Sequence, residues 1–123
     1  MAEKGLTDMK DGKRHLEKLN ILEAVKDIKT DWHNFVLSQV NDHVIRVSVI
    51  ERDFHWHRHD EGDEAFLVLD GELSIDLEDR TEVLAPGELF TVPKGVLHRT
   101  RASAGRAVNL TFEHRDSKAT GSS

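Results

Sequence analysis

A chain of 123 residues, with 33% of them charged and a formal net charge of −6, suits a single domain with one core. Charges of both signs are spread along it, which excludes the basic stripe of a nucleic-acid binder. It has no cysteine, which excludes disulfides and thiolate metal sites, and no apolar run approaches the ~18 residues of a membrane span.

Met1 to His15 is polar and charged, unlike a secretory signal, and reads as a flexible arm over 1–15. The expectation is a cytoplasmic protein with no membrane or nucleic-acid partner. Asn20 is placed to cap a helix, with Glu23 three residues later as in a capping box. A short helix over 21–28 follows, with Leu22, Val25 and Ile28 spaced to cover one end of a core. From Trp32 the period becomes two. Strands are expected over 32–40 and 43–51, joined by the Asn41-Asp42 turn, with Ile45, Val47 and Val49 on one face. Phe54 to His59 continues as a strand. Ala65 to Leu69 is apolar and ends at Asp70-Gly71. Leu73, Ile75 and Leu77 alternate with Glu72, Ser74 and Asp76, a strand with one wet face. Further short strands run over 81–84, 89–92, 97–102 and 107–114, separated by Asp79-Arg80, Pro86-Gly87 and Pro93-Lys94-Gly95. Residues 116–123 read as a polar, flexible tail. The domain therefore spans 16–115. Eight or nine short strands with turns every 8–12 residues predict an all-β barrel or sandwich.

The chain holds eight histidines, and three of them cluster at 55, 57 and 59. His57 and His59 stand two apart, so on a strand they share a face. Glu64 follows a loop in which Gly62 allows a tight bend. His98 lies just beyond Pro93-Lys94-Gly95. Three imidazoles and a carboxylate are the donor set of one divalent transition metal: Fe, Mn, Zn, Ni, Co or Cu. Four donors on three strands converge only if the sheet curls around them.

These residues also fall into two spaced motifs. His57-x-His59 is followed by Glu64 after four residues and by Gly71 after six more. Gly87 is followed after five residues by Pro93-Lys94-Gly95 and, two residues on, by His98. In this the chain resembles the cupin superfamily, in its small single-domain form (the cupin type 2 conserved barrel). A shifted register, with His55 and His57 as the pair and Glu61 as the carboxylate, would need glycine at 68, where Val68 stands. Gly71 fits the register of His57, His59 and Glu64. Two positions depart from the pattern. Ala102 stands where a polar Asn is frequent, and Glu51 where a glycine often precedes the first histidine.

The resemblance implies a cupin (double-stranded β-helix, or jelly-roll) barrel with a short N-terminal helix, and a homodimer through an outer sheet. Outward Ala65, Leu67 and Leu69 permit that dimer. His55 shares the parity of His57 and His59 and is the candidate proton-transfer residue. Phe66, Val68, Phe90 and Val92 are expected to line the substrate pocket. Trp56 and Arg58 are expected to face away from it. The pocket is expected to be mostly apolar, with no arginine or lysine clearly inward, which argues against a strongly anionic substrate.

An open coordination position allows Lewis-acid or O2 chemistry. The resemblance thus implies a dioxygenase or isomerase acting on a small organic molecule. The alternatives are a non-catalytic metal or ligand sensor, a sugar isomerase like mannose-6-phosphate isomerase, or a barrel merely braced by its metal.

Overall fold

The structure, a computed structural model, describes residues 16–120, apart from the side chains of Ala119 and Thr120. The arm expected over 1–15 and the end of the expected tail, 121–123, lie outside the described residues.

Within the described residues, helix α1 (Ile21–Val25) precedes the strands and is shorter than the expected 21–28. The Asn20 side chain accepts from the Glu23 backbone N–H at 3.0 Å, satisfying one of the first-turn donors that a helix leaves unpaired. At the other end Arg106 Nη2 donates to the Val25 carbonyl at 2.6 Å. Among the described residues ten strands follow: β1 (Trp32–Val40), β2 (His43–Ile50), β3 (Arg58–His59), β4 (Glu64–Asp70), β5 (Leu73–Asp76), β6 (Thr81–Leu84), β7 (Leu89–Val92), β8 (Arg99–Arg101), β9 (Ala107–His114) and β10 (Ala119–Thr120). Asn41, at φ 54°, turns β1 into β2, a left-handed position that Asn tolerates.

The strands form a five-stranded sheet in the order β1-β2-β9-β4-β7, a three-stranded sheet β6-β5-β8 and the pair β10-β3. Every strand pairing is antiparallel. The two larger sheets close over one core: Ile50, Phe66, Val68, Leu73, Ile75, Leu84, Val92 and Ala107. This is an all-β barrel, one of the two forms the strand pattern predicts, in the jelly-roll arrangement that the resemblance implies.

A second core lies on the opposite face of the five-stranded sheet. Val47, Val49, Val108 and Leu110 pack there against Val25, Leu37 and the flanks of α1. The Ile45/Val47/Val49 face thus points away from the barrel interior, toward the helix. Leu67 and Leu69 pack against this same cluster. Leu22, expected on the core side of the helix, is instead exposed.

Three other local expectations change. The strand expected over 54–59 contracts to Arg58–His59, preceded by a single bridge between His57 and His98. The wet face of β5 is dry: Ser74 and Asp76 are buried, Asp76 bonded by Arg99 and Arg101 of β8 and Ser74 bonded to the Ser103 hydroxyl. The segment read as tail folds back: Ser117 is buried, and the backbone of 119–120 pairs with β3.

Candidate metal centre

His57 and His98 come from the two separate sequence motifs and meet as an antiparallel backbone pair. His59 projects from β3, and Glu64 opens β4. All four side chains are buried, and one ligand-type atom from each lies within 4.8 Å of the others. The turn residues hold this arrangement. The Gly95 N–H donates to the His59 carbonyl at 2.7 Å, and the Lys94 N–H donates to Asp63 Oδ1 at 2.9 Å. Those bonds tie the Pro93-Lys94-Gly95 turn to the loop before Glu64.

The orientation of the rings is set from behind. His57 Nδ1 bonds the carbonyl of His55 at 2.8 Å, and His98 Nδ1 bonds the carbonyl of Val96 at 2.9 Å. A carbonyl only accepts, so Nδ1 carries the hydrogen in both rings. Each Nε2 lone pair is then bare and aimed inward, the form in which imidazole ligates a metal. His59 Nδ1 is backed by Ser117 Oγ at 3.2 Å.

At the centre His59 Nε2 stands 2.9 Å and His98 Nε2 3.5 Å from Glu64 Oε1. Despite this closeness, none of the three atoms has a hydrogen-bond partner among the described residues. Buried polar atoms are ordinarily satisfied, so a knot of orphaned acceptors is a place built for a cation. The donor set therefore fits a borderline divalent metal. The electrostatics agree. Burial pushes the His57 pKa down to about 4, keeping the ring neutral. Burial opposes charge on His59 as well, but the Glu64 carboxylate outweighs it and raises the pKa. Burial works against the Glu64 carboxylate too, yet the close His59 and His98 rings hold its pKa well below the usual range.

A cavity of about 200 Å³ opens beside this cluster. Phe66 lines it. Val68 and Val92 are in the barrel core, and Phe90 packs against that core and lines a separate groove with Leu77 and Val96. The His55 ring stacks on Phe54, with centroids 4.1 Å apart, and sits 5.3 Å from the His57 ring. Trp56 carries the Arg99 guanidinium 5.4 Å above its ring. His43 and His114 face each other at 5.6 Å, beside Asp42.

The expectation of an apolar pocket is corrected. Asn34, Arg46, Ser48, Asn109, Thr111 and Glu113 all line the cavity. They alternate with the apolar residues that face α1, so the polar sides of β2 and β9 turn inward. Glu113 stands beside Glu64, and burial, with the charge of Glu64, pushes its pKa up to about 7. Glu113 and Arg46 went unnoticed in the sequence although the alternation that places them there is plain.

A jelly-roll barrel with three histidines and a glutamate buried at one end defines a class of protein. Residues 43–112, more than half of the chain, match the family described as Cupin domain, and the chain belongs to that family. It is 42% identical over 100 residues to the uncharacterized protein YdbB of Bacillus subtilis (strain 168), covering 80% of this chain and 88% of that one. Among solved structures, a cupin-2 domain containing protein from Shewanella frigidimarina superposes with a TM-score of 0.76 at 29% identity, over 82% of this chain and 98% of that one. A protein from Neisseria meningitidis does so with a TM-score of 0.70 at 24% identity, over 80% and 99%.

Proposed function

We propose that the chain is a mononuclear metalloprotein that binds one divalent transition metal through His57, His59, Glu64 and His98 and acts on a small organic molecule. The observation that carries this is the set of orphaned inward atoms, His59 Nε2, His98 Nε2 and Glu64 Oε1. The metal would supply Lewis-acid polarisation of a substrate oxygen, or redox chemistry if it is iron. The protein's own part is positioning. Carbonyls at 55 and 96 and the Ser117 hydroxyl fix the three rings, while Phe66 narrows the cavity. A cavity of about 200 Å³ is small beside the ~300–1,000 Å³ of drug-sized sites, which suits a compact substrate. Proton transfer has two candidates. Glu113 lines the cavity, whereas His55 stands behind His57.

Oxygenation and isomerisation both fit this geometry, and the metal divides them. Elemental analysis of protein purified without chelator or a histidine tag is the test. About one equivalent of iron favours oxygenation; zinc, manganese or nickel favours isomerisation. No metal after reconstitution overturns the reading and leaves a ligand-binding barrel. A cytoplasmic placement and a homodimer through the outer sheet belong to the same proposal. For the described residues, no helix is long and apolar enough to cross a membrane. Light scattering that finds only monomer at high concentration removes the dimer.

A further inference from the structure

The cavity contains a charge and a hydroxyl that the metal cluster does not use. Arg46 is half-buried on the inner wall, with no carboxylate in ion-pair range among the described residues. Its Nη1 donates to Asn34 Oδ1 at 3.3 Å, and the Asn34 amide in turn donates to Ser48 Oγ at 2.6 Å. That chain orients the guanidinium and uses one of its five donors. Directly across the sheet, Arg46 registers with Thr111. Thr111 lines the same cavity, is 4% exposed, and its Oγ1 has no partner among the described residues. A buried hydroxyl without a partner is costly, and beside a guanidinium with donors to spare it marks a seat for an oxygen-rich group.

The seat is one step from the metal cluster. Glu113, beside Glu64, follows Thr111 by two residues on β9, about 7 Å along a strand. We infer that the substrate is a small carboxylic acid with an oxygen on the neighbouring carbon, a 2-hydroxy or 2-oxo acid. Its carboxylate is held by Arg46 and the Thr111 hydroxyl, and its second oxygen is turned to the histidine cluster. This rests on the metal reading for the second oxygen alone. A monoanion fits better than a phosphate dianion, because among the described residues Arg46 is the only arginine or lysine lining the cavity, and Glu64 and Glu113 stand nearby. This reverses the expectation, drawn from the sequence, that no arginine or lysine clearly faces inward.

The test is calorimetric titration of the metal-reconstituted protein with lactate, with lactamide, which keeps the hydroxyl but loses the charge, and with inorganic phosphate. Lactate is expected to bind roughly tenfold or more tightly than lactamide, because a charged hydrogen-bonded pair is lost. Arg46→Gln should weaken lactate by roughly tenfold or more, and Arg46→Lys should recover part of that. Thr111→Val should also weaken lactate while its melting temperature stays equal or rises, since an orphaned hydroxyl is replaced by a methyl of the same shape. Lactamide binding as well as lactate, phosphate binding more tightly than either, or undiminished affinity in Arg46→Gln or Thr111→Val would overturn the inference. The lactate and lactamide comparison in the unmodified protein decides even if a variant misfolds. Metal content measured on the same samples separates the two readings. Metal present without lactate binding removes only the carboxylate seat. Lactate binding that needs Arg46 in a protein that takes up no metal removes only the metal site.

Discussion

His57 and His98 are joined by two reciprocal backbone hydrogen bonds, each 2.9 Å from N to O, and their rings stand 4.3 Å apart between centroids. Residues 41 positions apart in the sequence are thus locked in register by the backbone alone. The barrel pre-forms the site, so binding should stabilise the fold without reorganising it.

Added Zn(II), Mn(II) or Fe(II) is therefore expected to raise the melting temperature of chelator-treated protein. At a hundredfold excess over the dissociation constant the gain is about 2.7 kcal/mol, or roughly 10 °C or more for a domain of this size. His98→Ala should abolish both the shift and the bound equivalent. A metal-induced shift that survives His98→Ala places the metal elsewhere.

Ser117 contributes from outside the ligand set. Its hydroxyl lies 3.2 Å from His59 Nδ1, and both side chains are buried. Ser117→Ala should weaken metal affinity by roughly tenfold, the low end for groups that orient a ligand from behind. Competition titration with a chromophoric chelator measures this, and an unchanged affinity removes the role.

Asp76 anchors the three-stranded sheet. Its carboxylate accepts from Arg101 at 2.6 and 2.9 Å, from Arg99 at 2.7 Å and from the Thr81 hydroxyl at 2.7 Å. The Arg101 bond, against the cost of burial, holds its pKa well below the usual carboxylate range. A depressed folded-state pKa contributes stability above the unfolded value of ~3.9 and loses it as pH falls below that value. Asp76→Asn should cost about 2 kcal/mol at pH 7, and the gap to the parent protein should shrink toward pH 3. Denaturant melts across that range read it directly; a gap independent of pH contradicts it.

Two glycines of the first motif differ in what they require. Gly71 has φ +78°, and a Cβ there would run into the carbonyl of Arg106, with Ala107 Cα at 3.0 Å. Both neighbours are backbone and cannot turn aside, so Gly71→Ala should cost about 2 kcal/mol or more. Gly62, expected to permit a tight bend, is not at positive φ, and a Cβ would meet nothing within 4 Å. Gly62→Ala should be neutral, or stabilise by up to about 1 kcal/mol. Thermal melts of the pair, side by side, test the contrast.

The grouping of His57, His59, Glu64 and His98 was legible because its signal is local. Two histidines two residues apart must share a face on extended chain, and glycine and proline at fixed offsets fix the turns. The strands were legible for the same reason, and so was the Asn20 cap. The character of the cavity was not. In β2 and β9 polar residues alternate with apolar ones, as on any half-buried sheet. The usual reading sends Arg46, Ser48, Thr111 and Glu113 to solvent and Val47, Val49 and Leu110 to the interior. The opposite occurs here, because α1 and its flanks cover the apolar face and leave the polar one to line the barrel. For β5 the same ambiguity hid Asp76, which the β8 arginines bond, and Ser74, which bonds Ser103.

By itself the sequence determined what depends on neighbours along the chain: strand periodicity, turns, the cap and the spacing of His57, His59, Glu64 and His98. Only the tertiary structure decided which side of each sheet is inside. Alternation gives two faces but no direction, and the direction is set by what packs against each face from far along the chain.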